Sequence, residues 1–278
     1  TIKKILAKEK LVVCPGAWDA LSALMIERAG FKIVYISGLG IAASGFGVPD
    51  VGLITATEVI HRAAAIAQAV SIPVICDADT GYGDAKNTWR TIRQLEEVGC
   101  SGAQLEDQTL VKRCGYQAGK RVIPIEEYIP KLKAALEARR SKDFVIVART
   151  DSKEAFGLDE VIKRLNIYAD VGADLAMSGS LHTLVEYKRM AREVKIPVIA
   201  NTPADPTATT IEQWEETGVK IVNYFTVTIW SAMKAQMKAL KLLRTKGNVA
   251  EMSSEFATYE EYLDIVNYSN WLKLCPSK

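Results

Sequence analysis

Residues 72–83 read IPVICDADTGYG, an apolar run followed by two aspartates in a glycine-rich segment. The run Ile72–Cys76 has the length and composition of a buried strand. Asp77 and Asp79 follow where that strand would end, so a curling chain could turn both carboxylates toward one ion or substrate. Hard divalent cations such as Mg²⁺ prefer carboxylate oxygens. The same residues could instead form an Asx-rich turn that caps the next helix, and this stretch alone leaves both interpretations open.

The same unit, a short apolar strand followed by a glycine-rich or polar turn and an amphipathic helix, recurs along the chain. Eight strands are predicted, from Leu11–Cys14, which ends at Pro15-Gly16, to Lys220–Phe225. Several lack the alternation of half-exposed strands, which is typical of a parallel sheet covered by helices. A doubly wound open sheet has the same order of elements, but eight regular units favour a closed α/β barrel of the TIM (β/α)8 type.

The whole chain, residues 1–278, is predicted to form a single domain. Its barrel covers about 10–245, and a C-terminal helical extension covers about 246–278. Within the extension, Phe256–Leu274 is predicted to form one aromatic-rich helix. Its aromatic stripe is expected to pack on the same barrel or on a neighbouring subunit.

Composition argues against several classes of protein. Of the 278 residues, 49% are hydrophobic and 24% are charged, and the net charge is +2. These values are ordinary for a globular protein and indicate neither a nucleic-acid partner nor a membrane surface. No apolar run is long enough to span a bilayer. Five cysteines without CxxC spacing predict no disulfide framework, so a cytoplasmic location is expected.

Catalytic groups of a β/α barrel sit at the carboxyl ends of its strands. Carboxylates for a divalent cation, an arginine for a carboxylate and a serine flanked by glycine would together suit a small polyanion. Some of these residues are expected only to cap helices. The predicted strand ends carry Tyr35, Ser37, Gly38, Asp77, Asp79, Gln104, Glu106, Arg149, Asp151 and Asn201.

The connection after the fourth predicted strand has about twenty residues, enough for a lid. It contains the segment Lys112-Arg113-Cys114-Gly115-Tyr116. A cysteine next to cations and a glycine is expected to have a lowered thiol pKa and to face whatever the lid covers. An incidental surface cysteine is the alternative. Cys14 and Cys76 lie on predicted strands and are expected in the core, whereas Cys100 and Cys275 are predicted to be structural or incidental.

Over nearly its whole length the sequence resembles the isocitrate lyase/phosphoenolpyruvate mutase superfamily. Within it, the chain looks most like the methylisocitrate lyase and 2,3-dimethylmalate lyase branch, whose carbon–carbon lyases carry the lid cysteine. The matching segments, in the order and spacing of the family, are Tyr35–Gly38, Pro49-Asp50, Asp77–Gly83, Glu106–Gln108, Lys112–Gly115 and Ala148–Asp151.

The resemblance implies a barrel whose last helix is exchanged between subunits, in a homotetramer built as a dimer of helix-swapped dimers. It also implies a Mg²⁺ or Mn²⁺ site, bound directly by Asp77 and mainly through water by Asp50, Asp79 and Glu106. The implied ligand is a small 2-hydroxy or 2-oxo carboxylate. The residues implied to bind it are Ser37, Gly38, Leu39, Asp79, Gly115, Tyr116, Arg149 and Asn201.

The reaction implied by the resemblance is a retro-aldol cleavage of a substituted 2-hydroxydicarboxylate, similar to methylisocitrate or dimethylmalate. It yields a 2-oxo acid such as pyruvate and a second carboxylate, with the metal stabilising the developing oxyanion. Tyr35 would take part in deprotonating the 2-hydroxyl, and Cys114 would protonate the departing carbanion under the closed lid. Arg149, Lys112 and Arg113 complete the implied catalytic set.

Three positions depart from the family pattern. Gln104 and Tyr116 replace histidines, and Ser178-Gly179 replaces a Pro-Glu pair. Losing the glutamate removes an anion and is expected to open space for a bulkier substrate. His182 could occupy part of that space, and the alternative is a solvent-exposed histidine at a helix start. His61 is predicted to be structural.

Other functions stay open on this reasoning. An oxaloacetate hydrolase or decarboxylase would need the same metal and oxyanion stabilisation but not the thiol acid. A carboxyphosphonoenolpyruvate mutase-like enzyme is a third reading, and an inactive metal- or ligand-binding barrel is a fourth. Asp77, Asp79, Glu106, Arg149 and Cys114 are all retained, which argues against the inactive barrel, since buried carboxylates are costly to keep without a use.

Overall fold

Eight parallel strands close into one barrel, in sequence order. The computed structural model describes residues 1–110, 112–202 and 209–274. The strands are β1 Val12–Ala17, β2 Val34–Ile36, β3 Val74–Asp77, β4 Gly102–Glu106, β5 Val145–Thr150, β6 Leu175–Ser178, β7 Val198–Asn201 and β8 Ile221–Tyr224. Pairing of β1 with β8 closes the ring, with Val12 opposite Ile221. The predicted TIM-type barrel is confirmed.

Helices surround the barrel and extend beyond it at the C-terminus. They are α1 Ile2–Lys8, α2 Ala20–Arg28, α3 Gly38–Ile41, α4 Ala56–Ala69, α5 Ala85–Glu97, α6 Ile125–Ala138, α7 Lys153–Val171, α8 Leu184–Glu193, α9 Ile211–Thr217, α10 Val227–Lys246, α11 Tyr259–Ile265 and α12 Tyr268–Leu274. The predicted C-terminal helical extension is therefore present. That the chain is a single domain stays a prediction.

Apolar side chains fill two layers, one inside the barrel and one between the barrel and its helices. The inner layer includes Tyr35, Ile75 and Val147, together with Ile2 of α1. The side chain of Ile2 lies near Gly102, at the start of β4, so α1 packs at the amino end of the barrel. This packing leaves the carboxyl ends of the strands as the open face of the barrel.

Three elements differ from their predicted bounds. Strand β1 continues through Pro15 and Gly16. Gly16 lets the backbone of Phe225 approach the strand closely, since that backbone would lie closer than 3.0 Å to any Cβ at position 16. The polar segment after β2 folds into α3 and a π-helix, Ala42–Phe46, instead of an open loop. The predicted helix Phe256–Leu274 is wrong as a single helix, since it divides at Asn267, whose φ is +55°.

Capping residues explain why the helices begin where they do. Thr55 and Glu58 form a capping box at the start of α4, in which each side chain accepts from the backbone N–H of the other residue. Asp84 caps α5 by accepting from the N–H groups of Lys86 and Asn87. Within the described ranges, none of the helices combines the length and apolar character that a membrane crossing requires.

Candidate active site

A pocket with a volume of about 30 Å³ opens at the carboxyl ends of the strands. Ten residues predicted from the sequence line it: Tyr35, Ser37, Leu39, Asp50, Asp77, Cys114, Gly115, Tyr116, Arg149 and Asn201. The remaining lining residues are Gly179, Leu181, His182, Thr202, Asn223 and Phe225. Parallel strands deliver all these groups to one edge, as the strand-end argument predicts.

Asp77 and Asp79 turn toward the same point beside Gly38. A Cβ at Gly38 would lie 3.2 Å from Asp77 Oδ2 and 3.7 Å from Asp79 Oδ1. The other oxygen of Asp77 accepts hydrogen bonds of 3.0 Å from the Asp79 backbone N–H and from Gln104 Nε2. Burial, and next the charge of Asp79, raise the pKa of Asp77 to about 6. The Asx-turn interpretation thus accounts for one oxygen of Asp77 and leaves Oδ2 available for a ligand.

Lys112 of the lid reaches down between two of the predicted metal residues. Its ammonium group lies 2.6 Å from Asp50 Oδ1 and also contacts Asp79 Oδ1. Burial alone would lower the pKa of Lys112, but the surrounding carboxylates, Asp79 and Glu106 first, raise it well above its usual value. A lysine buried to this extent in a cluster of acids shows that the space favours a cation.

Tyr35, Gln104 and Asp77 form a buried hydrogen-bonded chain across three strands. The Tyr35 hydroxyl donates to Gln104 Oε1 at 2.6 Å, and Gln104 Nε2 donates to Asp77. Burial, and next the charge of Asp77, raise the pKa of Tyr35 well above its usual value. Gln104 therefore uses both ends of its amide, a pairing that a neutral imidazole can also make.

Arg149 stands between two buried carboxylates. Its Nη2 donates to Asp151 Oδ1 at 3.2 Å. Its Nε lies 3.1 Å from Asp151 Oδ2, and its Nη1 lies 3.0 Å from Glu106 Oε2, but neither of these two contacts is aligned as a hydrogen bond. Burial raises the pKa of Glu106 well above its usual value despite the opposing charge of Arg149. The guanidinium is thus held firmly while still lining the pocket.

Gly179 is needed for the placement of this ion pair. A Cβ at position 179 would lie closer than 3.0 Å to Asp151 Oδ1 and to Arg149 Nη2. The expectation that losing the family glutamate opens space is therefore wrong in the direction of a Gly179 side chain, because the Arg149–Asp151 pair fills the space there. His182 is exposed at the rim of the pocket and its backbone N–H donates to Glu186, so the helix-start interpretation accounts for it.

The lid is closed over the pocket and is tied down along its length. Its two arms pair through an antiparallel bridge between Gln108 and Val122. A Cβ at Gly115 would lie 3.2 Å from Arg149 Nη2 and 3.3 Å from the Gly179 carbonyl, so the lid backbone lies directly on the ion pair. Lys120 donates to the Gly115 carbonyl at 3.0 Å and holds the turn of the lid.

Cys114 is buried under the closed lid, and only 8% of its surface is exposed. Burial is the largest effect on this thiol, followed by the charge of Asp50, and together they raise its pKa. The predicted lowering of the pKa is therefore wrong. The cations beside Cys114 in sequence do not dominate, because Lys112 is neutralised by acids and Arg113 is exposed, with its guanidinium donating to the Ala118 carbonyl.

Tyr116, the second departure from the family pattern, belongs to an aromatic cluster. Its ring stacks on Phe225 with centroids 5.2 Å apart and lies 5.8 Å from the ring of Trp230 in α10. Its hydroxyl donates to the Thr202 carbonyl at 3.3 Å. The lid tyrosine thus joins the lid to the ends of β7 and β8.

Gln108 is a site residue that the sequence reasoning missed. Its Nε2 lies 3.0 Å from Glu106 Oε1, from Asp151 Oδ2 and from the Arg113 carbonyl, and its Oε1 accepts from the Arg113 N–H. It links the carboxylates under Arg149 to the lid. Its place two residues after Glu106 is a signal that could have found it.

The remaining predicted residues lie in or below the walls. Gly38, Asp79, Glu106, Lys112 and Arg113 are not among the residues that line the pocket, although the first four contact residues that do. Cys14, Cys76 and Cys100 are buried free thiols, His61 is exposed on α4, and Cys275 lies outside the described residues.

The family model described as phosphoenolpyruvate phosphomutase matches residues 2–244. The chain belongs to this family. The sequence is 37% identical over 274 residues to a 2-methylisocitrate lyase of Aeropyrum pernix, with 98% of this chain and 88% of the relative aligned. It is 38% identical over 271 residues to a 2,3-dimethylmalate lyase of Eubacterium barkeri, with 95% and 92% aligned. These relatives support the predicted lyase class.

A solved structure also superimposes on this chain nearly completely. It is an oxaloacetate acetylhydrolase in complex with 3,3-difluorooxalacetate, with a TM-score of 0.92 and 30% sequence identity. The alignment covers 98% of this chain and 94% of that one. The predicted resemblance and barrel are thereby confirmed, while members of the family differ in the reaction their names describe.

The donor set of the pocket fits a hard divalent cation. Among the described residues, no group of three or more His, Cys, Asp and Glu side chains is placed so that it could hold a metal ion. Mg²⁺ does not need one, because it commonly binds through one or two carboxylates and keeps several waters. Asp77 Oδ2 and Asp79 Oδ1 both lie within 4 Å of the Cβ position of Gly38, and Asp79 Oδ1 is paired with the Lys112 ammonium, so Asp77 Oδ2 is the oxygen left for a direct metal bond.

Proposed function

We propose that this protein is a Mg²⁺-dependent carbon–carbon lyase that cleaves a substituted 2-hydroxydicarboxylate, similar to methylisocitrate or dimethylmalate, into a 2-oxo acid such as pyruvate and a second carboxylate. The observation that carries the proposal is the position of Cys114. The closed lid puts this thiol into the pocket that Arg149 and Asp77 also line. An acid, a carboxylate-binding cation and a metal-type carboxylate thus line one pocket.

Substrate binding is assigned to the ends of β2, β5 and β7. Arg149 would bind a carboxylate, and Asn201 would shape the pocket. Ser37, Gly38 and Leu39 lie at the start of α3 and would hold the 2-oxo acid part, Gly38 and Leu39 through backbone N–H groups and Ser37 through its hydroxyl, because the Ser37 N–H already donates to the Ala17 carbonyl. On the lid, Gly115 and Tyr116 would cover the substrate.

The metal would be Mg²⁺, or Mn²⁺, held directly by Asp77 and mainly through water by Asp50, Asp79 and Glu106. When bound, it would supply the positive charge that stabilises the oxyanion formed at the substrate 2-hydroxyl. Lys112 contacts Asp50 and Asp79 in the closed lid, so it would fix these carboxylates in place. Arg113 donates to the lid backbone and would keep the closed shape.

Proton transfers accompany the cleavage of the C2–C3 bond. Tyr35, a protonated phenol with a raised pKa, would take part by orienting the 2-hydroxyl, whose proton would pass to one of the carboxylates that line the pocket; the C–O bond then becomes a carbonyl and the C2–C3 electron pair moves to C3. The thiol of Cys114 would then give its proton to C3 and become a thiolate. Its raised pKa suits this role, because the thiol stays protonated at neutral pH until the substrate carbanion forms.

The test is Mg²⁺-dependent release of 2-oxo acid from a panel of 2-hydroxydicarboxylates that includes methylisocitrate and 2,3-dimethylmalate. Cys114→Ala is compared with Cys100→Ala, which removes a buried thiol that does not line the pocket. We expect loss of at least about a hundredfold in kcat only for Cys114→Ala, in line with the contribution of a general acid. No release from any hydroxydicarboxylate, with or without metal, would refute the lyase.

Oxaloacetate hydrolysis is the second candidate, favoured by the structural likeness to an oxaloacetate acetylhydrolase. It needs the same oxyanion stabilisation without protonation of a carbanion by the lid thiol. Oxaloacetate should therefore be included in the panel. Turnover of oxaloacetate that survives Cys114→Ala, with no hydroxy acid cleaved, would favour this candidate over the lyase.

The homotetramer of helix-swapped dimers belongs to the same proposal. An apolar groove lies above β1 and β8, between α2, α9 and the start of α10, and its lining includes Met25, Phe31 and Ile211. Helix α10 carries exposed apolar residues such as Met237 and Leu240, and the described part of α11 and α12 has no buried residue. A C-terminal helix of a second subunit would cover such a groove.

A cytoplasmic location is proposed as well, supported by four free cysteines.

A further inference from the structure

One wall of the pocket is formed by uncharged side chains that come from the ends of β7 and β8, the lid and the segment after β6. Its members are Tyr116, Leu181, Asn201, Thr202, Asn223 and Phe225. Leu181 is buried, and the ring of Phe225 is fixed by the ring of Tyr116. A substituent that enters this side of the pocket meets apolar carbon and neutral polar groups.

Apart from one acceptor, the polar groups of this wall pair with one another or with neighbours outside it, such as Met177 Sδ, which accepts from Asn201 Nδ2 at 3.7 Å. Asn223 Nδ2 donates to Asn201 Oδ1 at 3.1 Å, and the Thr202 hydroxyl donates to the Asn223 carbonyl at 3.3 Å. Asn223 Oδ1 is buried and has no hydrogen-bond partner among the described residues. An oxygen of this kind repels a carboxylate and would pair only with a donor.

Positive charge near the pocket is already partly neutralised. Arg149 lies between Asp151 and Glu106, and Lys112 between Asp50 and Asp79. Among the described residues that line the pocket, the other basic side chain is His182, at the exposed rim. A third carboxylate on the substrate would therefore lose its water without gaining a cation, which is unfavourable.

We infer that the substrate carries two carboxylates and that its remaining C3 substituent is uncharged, with an alkyl body packed against Phe225 and Leu181. This inference rests on the proposed lyase activity and narrows its substrate class. It predicts that the protein prefers 2,3-dimethylmalate-like dicarboxylates as substrates to methylisocitrate-like tricarboxylates. Tyr116 is a specificity residue here, because it replaces a family histidine with a neutral ring that completes the wall.

The experiment compares the same Mg²⁺-loaded protein on 2,3-dimethylmalate and on 2-methylisocitrate. We expect kcat/KM to be at least about 100-fold higher for the dicarboxylate, which corresponds to about 2.7 kcal/mol. His182→Arg adds a permanent cation at the rim and should reduce that ratio at least about tenfold. His182→Gln is the matched uncharged control, and the ratio should stay at its wild-type value.

Calorimetric binding of both compounds, with Mg²⁺ present, separates the two ideas. Cleavage of methylisocitrate within tenfold of dimethylmalate would overturn the dicarboxylate inference and leave the lyase standing. No cleavage of either compound, with the dicarboxylate bound at least tenfold more tightly, would refute the lyase and support the charge argument. No cleavage and equal binding of the two would refute both.

Discussion

Gly179 lies against a buried ion pair, and adding one methyl group there should disrupt the site. A Cβ at this position would come closer than 3.0 Å to Asp151 Oδ1 and Arg149 Nη2, a separation that real Cβ atoms essentially never show. Arg149 is 6% exposed and Asp151 is 1% exposed, so neither side chain can retreat into solvent. On the lid side, Gly115 already lies against the Arg149 guanidinium. Gly179→Ala must therefore separate the pair or shift the end of β6.

The magnitude follows from these contacts. Overfilling a packed site costs about 1–3 kcal/mol, and breaking a buried ion pair costs about 3–5 kcal/mol. Arg149 keeps Glu106 as a second partner, so we expect a loss of about 3 kcal/mol in the free energy of unfolding. For a chain of this size that lowers Tm by roughly 6–12 °C. Because the guanidinium moves, KM for the substrate should also rise at least about tenfold.

Thermal unfolding and steady-state kinetics measure the two effects. Gly47→Ala is the control, since nothing lies within 4 Å of its Cβ position and its φ of +64° adds only the strain of a left-handed residue, about 1–2 kcal/mol. Asp151→Ser combined with Gly179→Ala should recover part of the lost stability, giving a non-additive double-mutant cycle. A Gly179→Ala protein with wild-type Tm and KM would refute the reasoning. Reinstating the family glutamate, Gly179→Glu, should be at least as harmful.

Three further outcomes are expected. The pKa of Cys114 is raised above the ordinary 9.0, so the thiol should stay protonated and its deprotonation should lower kcat/KM only above about pH 9. A fall in kcat/KM that begins below pH 8 and that Cys114→Ala abolishes would contradict this. Gln104→Leu should cost about 1–3 kcal/mol for each of the partners Tyr35 and Asp77 that it leaves unpaired, as measured by urea unfolding, whereas Gln104→His can pair with both and should cost less. Trp271→Glu, on exposed α12, should shift the mass measured by light scattering toward smaller assemblies, and an unchanged mass would argue against a role for α12 in assembly.

Much of the fold and part of the site could be predicted because strand ends are local features. Apolar runs mark the strands, and parallel strands end at one edge, so Tyr35, Asp77 and Arg149 were expected together and are found together. Gln108 and Asn223 were not predicted. Their importance comes from partners on other elements, Asp151 and Asn201; Gln108 lies two residues after Glu106, which marks it as a candidate, but its adjacent residues do not show the contact with Asp151.

The predicted thiol pKa of Cys114 shows how sequence neighbours mislead. Adjacent cations lower a thiol pKa when they are close in space and unpaired. In the folded protein Lys112 is neutralised by acids and the Arg113 guanidinium binds the lid backbone, so burial decides the shift. Desolvation depends on packing and cannot be read from the order of residues.

The sequence by itself determined the eight strands and helices, the edge on which the polar groups meet, and the family to which the chain belongs. These follow from local periodicity and from short motifs whose spacing is preserved in the chain. Only the tertiary structure decided that Gly179 holds the Arg149–Asp151 pair in place, that Tyr116 packs on Phe225, and that Cys114 is buried. Each of these depends on residues far apart in the chain that come within contact distance only when the barrel closes and the lid lies on it.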